Sequence, residues 1–109
     1  MIAKTGDQLI VVDFTAAWCG PCQKIKPIFT QLANEFPHVI FVKVDVDLNQ
    51  ETAQACKVTA MPTFQFYKEG KMVHSVRGAD PQALRDGVQK HHGLTPLSVF
   101  DTVTRAPSI

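Results

Sequence analysis

Two cysteines separated by two residues stand in the segment Trp18-Cys19-Gly20-Pro21-Cys22, directly after the apolar run Leu9-Ile10-Val11-Val12-Asp13-Phe14. A strand that turns into a helix at this point sets both thiols at the helix N-terminus, where orphan N–H groups and partial positive charge stabilise an anion. The thiolate is the nucleophilic form of cysteine, so the position favours attack on another sulfur. The spacing is one that a disulfide can close, and the pair therefore reads as a dithiol that trades electrons with a third sulfur. The competing assignment is half of a structural zinc site, which needs two further ligands at workable spacing. Only Cys56, His38, His74, His91 and His92 remain for that purpose, and none forms a second paired motif. The strand-then-helix context favours redox chemistry.

Asp13 is the second residue with chemical meaning, because it interrupts an otherwise apolar strand six residues before Cys19. A carboxylate buried there without a full partner has its pKa raised by desolvation. The alternative is that strand curvature lets it reach solvent. Lys43 lies inside the next apolar run; it is open to reading as a partner for that carboxylate or as an exposed strand lysine.

The elements that must hold these groups follow from periodicity. Residues 9–15 and Val39-Ile40-Phe41-Val42-Lys43-Val44-Asp45-Val46 are β-branched runs that read as strands covered on both faces. Between them Ile25, Ile28, Phe29, Leu32, Ala33 and Phe36 recur at helical steps, with Pro27 expected to kink the helix. Strand, helix, strand implies a right-handed parallel crossover. A short polar helix is expected from Asp47 to about Cys56, then a hairpin in which Thr63-Phe64-Gln65-Phe66-Tyr67 turns at Lys68-Glu69-Gly70-Lys71 into Met72-Val73-His74-Ser75-Val76-Arg77. Asp80 and Pro81 supply a cap and a first-turn proline for a last helix carrying Leu84 and Val88 and ended by Gly93. The histidines at 38, 74, 91 and 92 read as ordinary surface residues.

Composition narrows the classes. The 109 residues make one domain, and 45% hydrophobic with 19% charged residues describes a globular chain. A formal net charge of +1 gives no reason to expect nucleic acid or an anionic membrane as partner. Met1 to Asp7 lacks the apolar stretch and cleavage site of a secretory signal, and no run approaches the length of a membrane span. Three cysteines without a wide-spaced framework also argue against a disulfide-stapled secreted domain. The expected setting is a reducing compartment, the cytoplasm.

With these elements in order, the chain resembles the thioredoxin family, of the eukaryotic cytosolic kind, from about Ala3 to His92. The resemblance rests on Val12-Asp13-Phe14, Trp18-Cys19-Gly20-Pro21-Cys22, Pro27, Asp45-Val46-Asp47, Met61-Pro62-Thr63-Phe64, Gly70 and Gly78-Ala79. It implies an α/β thioredoxin fold, a central mixed sheet flanked by helices. It also implies protein-disulfide reduction, with Cys19 as the exposed attacking nucleophile, Cys22 as the resolving thiol and Asp13 as general acid/base for Cys22. Lys43 then occupies the position from which bacterial relatives pair a lysine with that carboxylate. Met61-Pro62, which by itself reads as a turn or edge start, becomes a cis peptide facing the dithiol, its backbone free to pair with an extended substrate. Trp18, Gly20, Pro21, Ala60, Met61, Pro62, Gly78 and Ala79 form the implied substrate surface. Gly20-Pro21, without the histidine usual before the second cysteine of disulfide isomerases, points to a reductant.

The resemblance implies no bound cofactor and no metal, electrons coming from NADPH through a thioredoxin reductase, with oxidised proteins as the other partners. Cys56 reads as a free cysteine or as a regulatory or intermolecular disulfide site. Two features depart from the family. The family's first strand and most of its first helix have no counterpart before Leu9, which leaves the edge of strand 39–46 open and makes a dimer through that edge, or through Cys56, an alternative to a monomer. Residues 94–109 match nothing in the family; they are expected to form a tail after the 1–93 domain, either disordered or covering that edge. Two other functional readings stay open: an interaction module or truncated isoform that no longer cycles, and a disulfide oxidant or isomerase.

Overall fold

The apolar run after Gln8 becomes the first strand of a four-stranded sheet, β1 (Ile10–Thr15), and leads straight into α1 (Gly20–Glu35). The computed structural model describes residues 8–93; the expectations for the segment before them and for the 94–109 tail lie outside the described residues. Beyond α1 come β2 (Ile40–Asp45), α2 (Gln50–Ala55), β3 (Thr63–Lys68), β4 (Lys71–Arg77) and α3 (Pro81–His91). The strand order is β2-β1-β3-β4, with β1 parallel to β2 and antiparallel to β3, and β3 antiparallel to β4. This is the mixed sheet flanked by helices that the motif order implied.

Alternation along β1 sends its side chains to two different cores. Leu9 and Val11 join Phe64 and Phe66 of β3 and are covered by Ile25, Phe29 and Leu32 of α1 and by Leu84 and Val88 of α3. On the opposite face Ile10, Val12, Phe14 and Val44 pack with half-buried Ile40, Val42, Val58 and Tyr67. β1 is thus covered on both sides, as its composition suggested. β2 is not: Ile40, Phe41 and Val42 are only half-buried and Lys43 is exposed. The reason is topological, since β2 ends the strand order and has β1 as its one neighbour among the described residues.

Local signals account for the helix ends and the hairpin. Asp80 accepts hydrogen bonds from the N–H groups of Gln82 and Ala83, both at 3.1 Å, and Pro81 follows in the first turn of α3. Glu69 and Gly70 have φ of 53° and 79°, the paired positive values of a two-residue type I′ turn. α1 runs on through Pro27, which removes one intrahelical donor without ending the helix. Arg85 of α3 pairs with Glu35 of α1 at 2.8 Å, but both are exposed enough to water that the pair adds little.

The histidines are more organised than surface residues scattered at random. His38 Nε2 and His92 Nδ1 lie 2.9 Å apart, with the Phe36 ring against His92, and the rings of His74 and His91 lie 5.2 Å apart. The strand order brings these pairs together across 54 and 17 residues of chain.

At Gly87 the backbone of α3 comes close to β3 and β4. A Cβ placed on Gly87 would stand 2.7 Å from the Phe66 ring and 2.9 Å from His74. Phe66 is fully buried and has nowhere to move. Gly87→Ala is therefore expected to cost about 1–3 kcal/mol through overpacking, despite alanine's better helix propensity. At this size that lowers Tm by roughly 5–15 °C, and an unchanged thermal melt would contradict the close packing described.

Candidate active site

The turn that follows β1 places Cys19 at the N-cap of α1 and Cys22 in its first turn. The two are joined in a disulfide with their Cα atoms 5.2 Å apart, an ordinary separation for a bridged pair. The N–H of Cys22 donates to Cys19 Sγ at 3.2 Å, so the sulfur caps the helix as a serine oxygen would. Any negative charge that develops on Cys19 thus lies against a helix N-terminus. Cys19 was expected to be the exposed member of the pair. In the disulfide both are buried, at 5% and 3% exposure, because each sulfur covers the other and Ala16, Val46 and Met61 close around them.

Asp13 lies on the α1 face of β1, beside Phe64 of β3 and opposite Lys43 of β2 in register. It is 3% exposed, and its Oδ1 has no hydrogen-bond partner among the described residues. Loss of water around the carboxylate dominates, and the opposing field of Lys43 only partly offsets it, so its pKa is pushed up to about 6. Lys43 proves to be both things its sequence position allowed, an exposed strand lysine and the nearby cation. Asp13 does not reach solvent.

A cavity of about 260 Å³ connects this carboxylate to the dithiol: its walls include Asp13, Cys22, Lys43, Gln23, Lys26 and Asp45. It is roomy enough for several water molecules, which could relay a proton between Asp13 and Cys22. Sequence reasoning found Asp13, Cys22 and Lys43 but missed Gln23, Lys26 and Asp45. For Lys26 the available signal was its four-residue helical step from Cys22 and for Gln23 the same step from Cys19; Asp45 stood in a motif of the family resemblance and two residues from Lys43 along β2, but was given no role.

Above the disulfide the rim is partly apolar. Trp18 is 67% exposed, and its indole N–H donates to Asp47 Oδ2 at 2.8 Å. That bond ties the rim to the loop after β2, and no motif pointed to it. Met61 packs against the cysteines, and the Met61–Pro62 peptide is cis, as the family resemblance implied. Pro62 itself is fully buried, while Gly20, Pro21 and Ala60 are exposed. Gly78 donates its N–H to the Pro62 carbonyl at 2.8 Å with φ of 93°, a conformation that favours glycine, and Ala79 beside it is exposed.

Cys56 lies apart from this rim, half-buried on the opposite face of the sheet. Its carbonyl accepts a hydrogen bond from Gln65 Nε2 at 2.9 Å, and Gln65 Oε1 accepts one from the Tyr67 hydroxyl at 2.6 Å. Burial, followed by the neighbouring Cys56, pushes the Tyr67 hydroxyl up to about 12. Among the described residues no group of three or more His, Cys, Asp or Glu is placed to hold a metal, and no helix is long and apolar enough to cross a membrane.

Comparison with known proteins bears on the same site. The family model described as Thioredoxin matches residues 1–90. A thioredoxin of Geodia cydonium is 58% identical over 91 residues, covering 83% of this chain and 86% of the relative. Among solved structures, Fasciola hepatica thioredoxin superposes with a TM-score of 0.77 at 52% identity, covering 79% of this chain and 83% of that one. A thioredoxin of Nicotiana alata superposes with a TM-score of 0.81 at 43% identity, covering 84% and 79%.

Proposed function

The chain belongs to the thioredoxin family and is a thiol-disulfide oxidoreductase, and from that premise we propose that it works as a protein-disulfide reductase through Cys19 and Cys22. The observation that carries this reading is the Cys19–Cys22 disulfide at the start of α1, sharing a cavity with a buried carboxylate whose pKa is raised to about 6. Gly20-Pro21 between the cysteines supports the reducing direction, since no histidine stands there to stabilise the thiolate further.

The Cys19 thiolate attacks one sulfur of a substrate disulfide; that bond breaks, and the other substrate sulfur leaves as a thiolate and takes up a proton. Asp13 then accepts the Cys22 proton through the cavity, and the Cys22 thiolate attacks Cys19 Sγ. The mixed disulfide breaks, and the second substrate sulfur departs as a thiolate and takes up the proton that Asp13 received. What remains is the Cys19–Cys22 disulfide, the state of the structure. Two electrons have passed to the substrate. They are restored by a thioredoxin reductase drawing on NADPH, with no cofactor bound to this chain, and the setting is the cytoplasm. Trp18, Gly20, Pro21, Ala60, Met61, Pro62, Gly78 and Ala79 make the substrate surface, the Met61 backbone pairing with an extended segment.

The test is reduction of insulin with NADPH and a thioredoxin reductase. The expected result is NADPH consumption and precipitation of the insulin chains in proportion to the protein added. A protein that is reduced by dithiothreitol yet leaves insulin intact would refute the reductase reading. A reduction potential near the about −180 mV typical of protein disulfide isomerase would favour an isomerase instead.

A further inference from the structure

Among the described residues the large hydrophobic side chains left most open to water are Trp18 and Leu48, at 67% and 81% exposure. They belong to different segments, but the Trp18 indole is bonded to Asp47, the residue before Leu48, at 2.8 Å. Leu48 is not loose. Asp45 Oδ1 accepts from the N–H of Asp47 at 2.9 Å and of Leu48 at 3.3 Å, and the Asp45 carbonyl accepts from Asn49 Nδ2 at 3.0 Å. The loop therefore holds an isobutyl group out in water beside the rim of the disulfide. Next to it is an open depression of about 350 Å³ whose walls include Asp47, Leu48, Asn49 and Glu51. Two carboxylates line it, and among the described residues none that lines it is basic.

We propose that Leu48 and Trp18 form a docking shoulder for the part of a substrate protein that flanks its disulfide, and that this segment presents an apolar side chain followed by a lysine or arginine. The apolar side chain covers Leu48 and the edge of Trp18. The cation that follows it enters the depression toward Asp47 and Glu51, where opposite charge favours it and like charge is repelled. The surface is continuous with the substrate face of the reductase reading, on which the proposal rests. Contacts made equally in the bound substrate and the transition state act on KM rather than on kcat.

The test uses two cyclic disulfide peptides of equal length, with Leu-Lys or Ser-Glu after the second cysteine. Initial rates are measured with NADPH and a thioredoxin reductase, and hydroxyethyl disulfide serves as a substrate too small to span the shoulder. The expected result for the unaltered protein is a KM about tenfold lower for the Leu-Lys peptide at similar kcat, the size of effect one apolar contact gives. Leu48→Ser, which removes the apolar contact without adding charge, should narrow the gap between the two KM values, and Glu51→Lys should reduce the preference for the basic peptide, while thermal melts confirm that both variants fold. Equal KM values in the unaltered protein, or a preference undiminished in Leu48→Ser, would overturn the proposal. So would a KM that depends on protein concentration, which would mean a second copy of the chain occupies the shoulder. Failure to reduce insulin in the same assay would instead bring down the reductase reading beneath it.

Discussion

Replacing Cys22 with serine will stop turnover and leave the protein joined to its substrate through a disulfide at Cys19, whereas replacing Cys19 with serine will stop turnover and leave no such adduct. The asymmetry follows from position. Cys19 Sγ caps α1 and receives the N–H of Cys22, and the proposed mechanism makes Cys19 the anionic sulfur on that ground, since a helix N-terminus favours negative charge. Cys22 lies in the first turn of the helix beyond the cap; in the disulfide the two sulfurs are almost equally covered, so it is the capping position and not exposure that sets Cys19 apart. Without Cys22 the first exchange still occurs but nothing displaces the product. Without Cys19 the first exchange never starts. Loss of turnover in either variant should be at least about 10⁴-fold, the order seen when a covalent nucleophile is removed. Serine caps a helix as well as cysteine does, so the Cys19→Ser fold should persist. Intact-mass analysis in a Cys56→Ser background, which removes the free thiol, distinguishes the variants. An adduct formed equally well through Cys22 would abolish the assigned distinction, and one formed through Cys22 alone would reverse it.

Asp13→Asn should move stability and activity in opposite directions. In the fold this carboxyl titrates near 6 rather than 3.8, so the folded state holds its proton more tightly than the unfolded chain does. The sign follows: below about pH 3.8 the group is protonated in both states and costs nothing. As pH rises from there to about 6 the unfolded chain gives up its proton first, and stability is lost. Above about 6 the penalty is complete. At 1.36 kcal/mol per pH unit the gap amounts to about 3 kcal/mol. The asparagine variant should gain up to that much at pH 7 and little at pH 4, as read from urea denaturation of the oxidised form at both values. Meanwhile the resolving step loses its base. Release of product from the mixed disulfide should slow by about 100-fold, and its pH profile should lose the rise near 6. A variant that gains stability but resolves at an unchanged rate would show that Asp13 moves no proton.

The parts of this molecule legible in the sequence are those that local rules determine. The cap and first-turn proline of α3, the Glu69-Gly70 turn and the placement of two cysteines at a helix start all rest on neighbours within four residues. Asp13 was legible because a charge inside an apolar strand has few explanations. What stayed hidden depends on register and strand order. The Trp18–Asp47 bond joins residues 29 apart, and the histidine pairs come together only once the strands are arranged. The apolar content of β2 suggested two covered faces, yet composition cannot say which strand ends a sheet. The exposure of Cys19 was misjudged because burial there depends on the partner sulfur and on Met61, 42 residues away.

The capping of α1 by a redox-active sulfur has a thermodynamic corollary. Oxidation and unfolding share the atom Cys19 Sγ, so the two equilibria close a cycle. The difference in unfolding free energy between the disulfide and dithiol forms equals the difference between the folded and unfolded chains in their tendency to be oxidised. Each 1.4 kcal/mol in one is about 30 mV in the other for a two-electron couple. Any substitution in the first turn of α1 that steadies one form against the other resets the electron-donating strength of the protein by the same amount. Paired denaturation curves of the two forms would therefore measure its redox poise relative to that of the unfolded chain.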